Sequence, residues 1–410
     1  MSLNISSTIL SLPGQRVKYA QHDLSQQKVT LHCDRDRRYR AIDPLSGKPG
    51  TVNLYVRRTI RDVPLCGADC HLEIELAQVI TADGKRRLEA CEFVDKGSRY
   101  TLRLCRLVSG LCRHMSIQAV SRHLKIRWET VKNMDKYYLE STLPALDAGL
   151  LKNLKYIGVD EVARAKRHDY MTVIYDMEEG HLIGVETGRT ADVFSRYLKQ
   201  LTPETAEKTE AVAMDMGPSY QKSVRDRLPN ADIVFDRFHV MKNYSKALSN
   251  QRRIEFRKAN KTGKALLKGT YYLVLKNADK LSESQTEKLQ QLLNENANLN
   301  TLYIMKEQLQ ALWQSETVEL MQERLEAWCQ LAEQSINALL KKFAKSLRKH
   351  CIGICNYAKH RLTSARIEAG NISIGMIRKR ARGIRDTEYF KLKIRQSSLP
   401  DDQSMFYLAA

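Results

Sequence analysis

Three short acidic stations constrain this chain more than any other feature: Gly158-Val159-Asp160-Glu161, Ala213-Met214-Asp215-Met216 and Ile367-Glu368-Ala369-Gly370-Asn371. The first closes an apolar run over 154–159. The second closes Glu210-Ala-Val-Ala-Met-Asp215, which Gly217-Pro218 stops, so each reads as a short strand with an aspartate at its exit. Tyr170-Met-Thr-Val-Ile-Tyr175 has the pattern of a hairpin partner for the first strand. The stations lie far apart in sequence. Only a fold that gathers neighbouring strand ends and a distant helix can use all three together.

The pattern around them supplies such a fold. Strands near 154–159, 170–175 and 181–186 are followed by a helix over 190–201, a strand at 210–214, a helix at 218–227 and a strand at 231–235. Three strands, helix, strand, helix, strand is the order of an α/β ribonuclease-H-like core, placed here over 150–243. From 244 to 349 the sequence turns almost wholly helical, with Leu281, Leu289, Leu292, Trp313 and Trp328 spread over many turns. That stretch reads as a large all-helical insertion packed within the monomer, because its apolar spacing keeps no strict heptad and Gly263 and Gly269 interrupt it. Residues 350–398 return to the core with a final helix that carries Glu368.

Before the core, residues 1–97 alternate short β-like runs with turns and read as a small β-rich module. Residues 98–143 become helical. Ser116-Ile-Gln-Ala-Val-Ser-Arg-His-Leu-Lys125 followed by Arg127-Trp-Glu-Thr-Val-Lys-Asn-Met-Asp-Lys136 has the form of a helix-turn-helix, with Ser116 as cap and Trp128, Glu129, Thr130 and Lys132 opening the recognition helix. An ordinary helical hairpin is the plainer alternative. A linker is expected over 144–149.

The charge balance supports DNA as the partner. Lys plus Arg number 67 against 47 Asp plus Glu, a net +20, which suits a polyanion. Arg378, Lys379, Arg380, Arg382, Arg385, Lys391, Lys393 and Arg395 follow the third acidic station closely enough to line a phosphate track. A solvated helix face would look the same. No run of roughly 18 apolar residues spans a membrane and the N-terminus lacks a signal-peptide pattern, so a cytoplasmic, nucleoid-associated protein is expected. The 9 cysteines are odd in number and scattered, which points to reduced thiols; Cys351 and Cys355 share a helix face but are assigned no chemistry.

Clustered carboxylates on such a core suit Mg²⁺-dependent phosphodiester chemistry. Two ions about 4 Å apart activate an attacking water or 3′-hydroxyl and stabilise the leaving oxygen. Asp160 is expected to bridge the ions, with Asp215 and Glu368 completing one each; taken singly, each acid could equally cap a turn or face solvent. Asp236 ends a strand, and His239 stands three residues further on at a helix start. That pair suits either a supporting or DNA-contacting role at the site or a simple cap.

At this point Gly158-Val-Asp-Glu161, Asp215-Met-Gly-Pro-Ser-Tyr220, Pro229-Asn-Ala-Asp-Ile-Val-Phe-Asp-Arg-Phe-His-Val-Met-Lys242 and Glu368-Ala-Gly-Asn371, with the basic Ile377-Arg-Lys-Arg380 after them, resemble the ISL3 family of bacterial insertion-sequence transposases. The resemblance runs from about residue 57 to 395, and the Asp-Arg-Phe-His segment is its most specific part. It implies Mg²⁺-dependent cleavage and strand transfer at terminal inverted repeats, with Mn²⁺ as a substitute ion. It also implies that Asp160, Asp215 and Glu368 are the catalytic triad; Asp236, His239 and Asn371 are expected as supporting residues. Synapsis of two ends implies a homo-oligomer on double-stranded DNA.

One departure concerns zinc. The family pattern has two Cys-x-x-Cys pairs flanking a segment like Arg57-Arg-Thr-Ile-Arg-Asp-Val-Pro64; here Asp36 stands where the partner of Cys33 should, and Val94 where that of Cys91 should. Cys66, Cys70, His71 and His32 could assemble a substitute site only with spacing unlike the family's, so the N-terminal module is expected to fold without metal. The rival readings are a non-catalytic DNA-binding protein derived from a transposase and a nuclease that cuts without joining.

Overall fold

The computed structural model describes residues 10, 12–81, 83–143, 151, 154–165 and 169–399; the linker expected over 144–149 lies outside them. The chain divides into two compact units. One holds residues up to 143, residues 380–382 and those from 388 onward, and the other holds 144–379 with 383–387.

The first unit begins with a five-stranded sheet: β1 (Gln15–Asp23), β2 (Lys28–Arg35), β3 (Thr51–Arg61), β4 (Asp69–Ile80) and β5 (Arg86–Leu88). Their order is β1-β2-β4-β3, with β5 on β4; β2 and β4 run parallel and the other pairs antiparallel. Period-two alternation sends Leu31 and Cys33 of β2 and Cys70, Leu72, Ile74 and Leu76 of β4 into one core. Burial pushes the thiols of Cys33 and Cys70 up to about 12. Cys66 is exposed in a turn, while His32 pairs with Glu73 at 2.6 Å and stacks on Tyr19.

Three helices follow: α1 (Leu102–His114), α2 (Ile117–Leu124) and α3 (Trp128–Thr142). The Ser116 hydroxyl accepts the Ala119 amide, Lys125 turns the chain through a left-handed conformation, and Val120, Leu124, Ile126 and Val131 close the core beneath. The sheet is tied to this helical trio at its turn, where Arg61 donates to the carbonyls of Leu124 and Lys125 and pairs with Asp69.

A helix from the far end of the chain completes the unit. It spans Thr387–Ser397 and buries Tyr389, Phe390, Lys393 and Ile394. Asp135 of α3, fully buried, accepts from Ser109 at 2.6 Å, from the Tyr389 hydroxyl at 2.6 Å and from Lys393 Nζ at 3.0 Å; Lys393 also donates to the Cys112 carbonyl. This corrects the reading of the basic tract, since Lys393 is an interior ion and not part of a phosphate track.

The second unit is built on a mixed sheet of β6 (Tyr156–Ala165), β7 (Asp169–Asp176), β8 (Leu182–Thr187), β9 (Ala211–Met214) and β10 (Asp232–Phe235) in the order β10-β9-β6-β7-β8. β6-β7-β8 is an antiparallel meander, and β9 and β10 extend it in parallel from β6. Helices Ala191–Leu198 (α4), Pro203–Lys208 (α5) and Pro218–Arg227 (α6) connect these strands. Gly217 and Pro218 open α6 directly after β9, with Pro218 placed where its missing amide costs nothing.

Asp236 opens a long helix, α7 (Arg237–Lys258), which runs on without interruption past residue 244 into the helical region. There it joins α8 (Lys261–Leu267), α9 (Tyr271–Leu275), α10 (Glu283–Glu295), α11 (Ala297–Leu312), α12 (Val318–Gln334) and α13 (Ala338–Lys349). These are short helices packed on one another, and their core is continuous with that of the sheet. Tyr244 meets the rings of Trp328 and Phe343 edge-on, and its hydroxyl reaches the Leu302 carbonyl at 2.8 Å. The chain returns through α14 (Cys351–His360) to α15 (Ala365–Ala381), after which the Thr387–Ser397 helix becomes α16. No helix among the described residues is long and apolar enough to cross a membrane.

The buried Asp135–Lys393 pair makes a direct prediction. Asp135→Ala leaves an unpaired interior ammonium and should destabilise the first unit by roughly 3–5 kcal/mol, whereas Asp135→Leu combined with Lys393→Met should recover most of that loss in urea unfolding.

Candidate active site

Asp160 sits inside β6 and not at its end. Antiparallel pairing with β7 continues past it, through Glu161 opposite Thr172 to Ala165 opposite Asp169, so the strand carries the acid across the sheet where the sequence predicted an exit. Asp160 Oδ1 accepts the Glu161 amide at 2.7 Å, and Oδ2 accepts Nδ2 of Asn371 at 2.6 Å. Asp215 follows β9 directly, is exposed, and accepts the Met216 amide at 2.6 Å. Because β9 runs parallel beside β6 with Gly158 opposite Ala213, the two aspartates lie at the same level of neighbouring central strands, where β9 ends.

Burial raises the Asp160 carboxyl above the usual carboxylate range and the Asp215 charge adds to the rise, while His239 and Asn371 pull it back. Glu161, half-buried, is raised in the same way by burial and opposed by Arg189, whose guanidinium lies 3.5 Å away.

Asp236 ends β10 and caps α7, accepting the Phe238 amide at 3.0 Å through one oxygen and holding His239 Nδ1 at 2.7 Å through the other. That carboxylate raises the His239 pKa against the opposing effect of burial, and Asp215 and Asp160 raise it further. His239 therefore holds its proton more tightly than a free imidazole, in the field of three acids.

Glu368 rides on the first turn of α15. Its Oε1 accepts the Ser364 hydroxyl at 3.0 Å, and with Asp236 it lines a cleft of about 350 Å³ whose wall includes Phe238, Tyr357 and the buried Lys306. Asn371 stands three residues beyond Glu368, on the same helix face. Its bond to Asp160 thus brings the helix that carries the third acid onto the strand that carries the first.

Two glycines permit this approach. A Cβ at Gly158 would lie 2.3 Å from Met177 Sδ and 2.7 Å from Ile367 Cδ1, and a Cβ at Gly370 would lie 2.3 Å from the Tyr175 hydroxyl. Both glycines belong to the acidic stations, which accounts for the form of those motifs as well as their carboxylates.

Among the described residues, no three His, Cys, Asp or Glu side chains are gathered as a ready metal cage. The oxygen donors nonetheless suit a hard divalent cation. Asp160 is strained as an anion by burial and by Asp215, and the Asn371 Oδ1 beside it is buried with no hydrogen-bond partner. A cation there would relieve both.

The basic tract divides by function. Arg378 donates to the Ala163 carbonyl and Arg380 to the Arg113 carbonyl, whereas Lys379, Arg382 and Arg385 are exposed. In the helix-turn-helix, Trp128 is 44% exposed; Thr130 and Lys132 are half-buried, the latter over the Tyr389 ring at 5.8 Å. Sequence reasoning missed Arg164, which pairs with Asp169 and donates to the carbonyls of Ile384 and Arg385, and Arg366, which donates to that of Met177. Their partners are backbone atoms remote in sequence, and no local pattern announces them.

Comparison with known proteins places this geometry. A family model described as "Transposase", of the ISL3 group, matches residues 157–394, and one described as "Helix-turn-helix domain of transposase family ISL3" matches residues 89–139. The chain is 31% identical to the transposase for insertion sequence element IS1001 of Bordetella parapertussis, over 82% of this chain and 84% of that protein. It is 26% identical to the transposase for insertion sequence element IS1557 of Mycobacterium tuberculosis, over 68% of each.

Two outcomes test the site's construction. Asp236→Asn keeps a helix cap but removes the charge on His239. The stability it costs, roughly 1–2 kcal/mol, should be fully present below the ordinary histidine pKa of about 6.5 and should fade as pH rises through the elevated native value, which imidazole NMR titration reads directly. Gly370→Ala must push α15 off Tyr175; about 1–3 kcal/mol of stability should be lost in urea unfolding, together with the protection of the Asn371 side-chain amide from exchange.

Proposed function

We propose that this chain, which belongs to the ISL3 family of transposases, is the DNA-cutting and strand-transferring enzyme of an insertion sequence, acting on double-stranded DNA at terminal inverted repeats. The hydrogen bond from Asn371 to Asp160 carries the reading, because it docks the helix bearing Glu368 onto the strand bearing Asp160, beside Asp215. The strand order, an antiparallel meander extended in parallel by two further strands, supports a ribonuclease-H-like core interrupted by a helical insertion.

In this reading Asp160, Asp215 and Glu368 hold two Mg²⁺ ions, for which Mn²⁺ can substitute. When bound, the metal supplies Lewis-acid activation of a water or 3′-hydroxyl and stabilises the departing oxygen. The protein's own groups do the rest. Asn371 fixes the carboxylate plane of Asp160, and Asp236 holds His239 Nδ1 and favours its protonated form, in which it would offset the acids' repulsion and meet a phosphate oxygen. The β-rich module and the helix-turn-helix recognise the element's end, with Trp128, Thr130 and Lys132 opening the recognition helix. Exposed Lys379, Arg382 and Arg385 contact phosphates, while Arg378 and Arg380 act by holding backbone in place. Joining two ends in one reaction calls for two copies of the chain, so a homo-oligomer forms on DNA.

The test is Mg²⁺-dependent cleavage and joining of labelled DNA carrying the ends that flank the gene. Wild type should give both nicked and joined products. Glu368→Gln and Asp160→Asn should each lower the rate by ~10²–10³-fold, on the scale of losing a transition-state electrostatic contact, with salt-sensitive binding kept. Nicked products alone would establish a nuclease, and binding without products in either Mg²⁺ or Mn²⁺ would establish a non-catalytic DNA-binding protein.

A further inference from the structure

The face of α7 that begins at His239, itself paired with Asp236, continues as a mostly basic row. His239, Lys242, Lys246, Asn250, Arg253 and Arg257 follow one another at spacings of three and four residues, so they share one side of the helix. The opposite side, through Val240, Tyr244, Leu248 and Gln251, is buried in the core. Lys242, Lys246, Arg253 and Arg257 are all exposed, and among the described residues no carboxylate pairs with any of them. The helix does carry an acid, Glu255, but it is turned away and accepts hydrogen bonds from Gln251, Asn296 and Asn298.

The row ends in a cleft of about 320 Å³ between α7 and the turn after α8, lined by Arg252, Arg253, Phe256, Arg257 and Lys268 and by no acid. Lys288 reaches the same turn, its Nζ lying 3.8 Å from where a Cβ on Gly269 would stand. Arg252 is the most telling of these side chains. Its Nε is buried without a hydrogen-bond partner, its guanidinium leans on the Tyr271 ring at 5.7 Å, and burial together with neighbouring Arg253 disfavours its charge. Several cations held together without a counter-charge, one of them partly desolvated, are costly unless an anion closes the site.

We propose that this face of α7, from Lys242 to the Arg252–Lys268 cleft, is a DNA-backbone track belonging to the helical insertion, which carries the duplex away from the acidic site. The distance along the helix from His239 to Arg257 is roughly 27 Å at 1.5 Å per residue, enough to follow about 8 nucleotides of one strand at 3.4 Å each. The contacts are to phosphate, because the row offers ammonium and guanidinium groups in regular series and little that could read a base edge. The inference rests on the proposal that the chain cuts DNA at the acidic site, and it assigns the insertion a role in holding the duplex that is separate from end recognition by the helix-turn-helix.

The experiment compares full-length wild type with the Arg253→Glu/Arg257→Glu/Lys268→Glu variant, and with a Gln version of the same three positions as a milder control. None of these residues touches the acidic site. Binding is measured from 50 to 300 mM salt on a duplex that carries the element's end and extends beyond it, with folding checked by urea unfolding. The track predicts a slope of log K against log salt shallower by about 2 to 3 in the Glu variant, since each phosphate contact contributes about 0.9, an intermediate change with Gln, and unaltered preference for the terminal sequence over a scrambled one. An unchanged slope in a folded Glu variant overturns the track and leaves the cutting reading intact. A wild type that gives no cleaved product while the slope still falls overturns the cutting reading and leaves the insertion as a DNA-binding surface.

Discussion

The second unit turns on how closely one helix can approach one sheet. Ordinary side chains at positions 158 and 370 would hold α15 away from β6 and β7, and with α15 displaced the amide of Asn371 would lose its bond to Asp160. Removing two Cβ atoms allows Ile367 to seat against the strand and the Asn371 amide to reach Asp160. Glycine costs backbone entropy in both a strand and a helix. The fold bears that cost at the two places where α15 packs onto β6 and β7.

Electrostatics then shape the site from the inside. In a chain with a net charge of +20, the site brings Asp160, Asp215, Asp236 and Glu161 into one neighbourhood, with His239 and Arg189 as opposing basic groups. The arrangement keeps Asp160 reluctant to ionise and His239 reluctant to lose its proton. A divalent cation and a phosphodiester, arriving together, would satisfy both tendencies, because the metal answers the carboxylates and the phosphate answers the imidazolium.

Much of this was legible in the residues. The five strands of the second sheet and α4, α6 and α7 fall where hydrophobic patterning and the Gly217-Pro218 stop indicate, and Ser116 and Asp236 cap helices as their positions suggest. What escaped was long-range. Nothing local distinguishes Lys393 from the basic residues upstream of it, yet a buried aspartate on α3 makes it interior. The continuation of β6 beyond Asp160 depends on a partner strand that keeps pairing, which a single-strand pattern does not reveal. In the first unit Cys33, left over from a broken Cys-x-x-Cys pair, packs with Cys70 among Leu31, Leu72 and Ile74.

The Asp135–Lys393 node also bears on the order of synthesis. The helix-turn-helix leaves the ribosome early, but α3 then carries an interior carboxylate whose ammonium partner is encoded beyond the whole of the second unit. Until residue 393 emerges, that carboxylate must stay hydrated or hold the trio partly open. The helix-turn-helix is therefore finished last, by the same stretch of chain that follows Glu368, and a polypeptide cut short before residue 393 keeps that carboxylate without its partner.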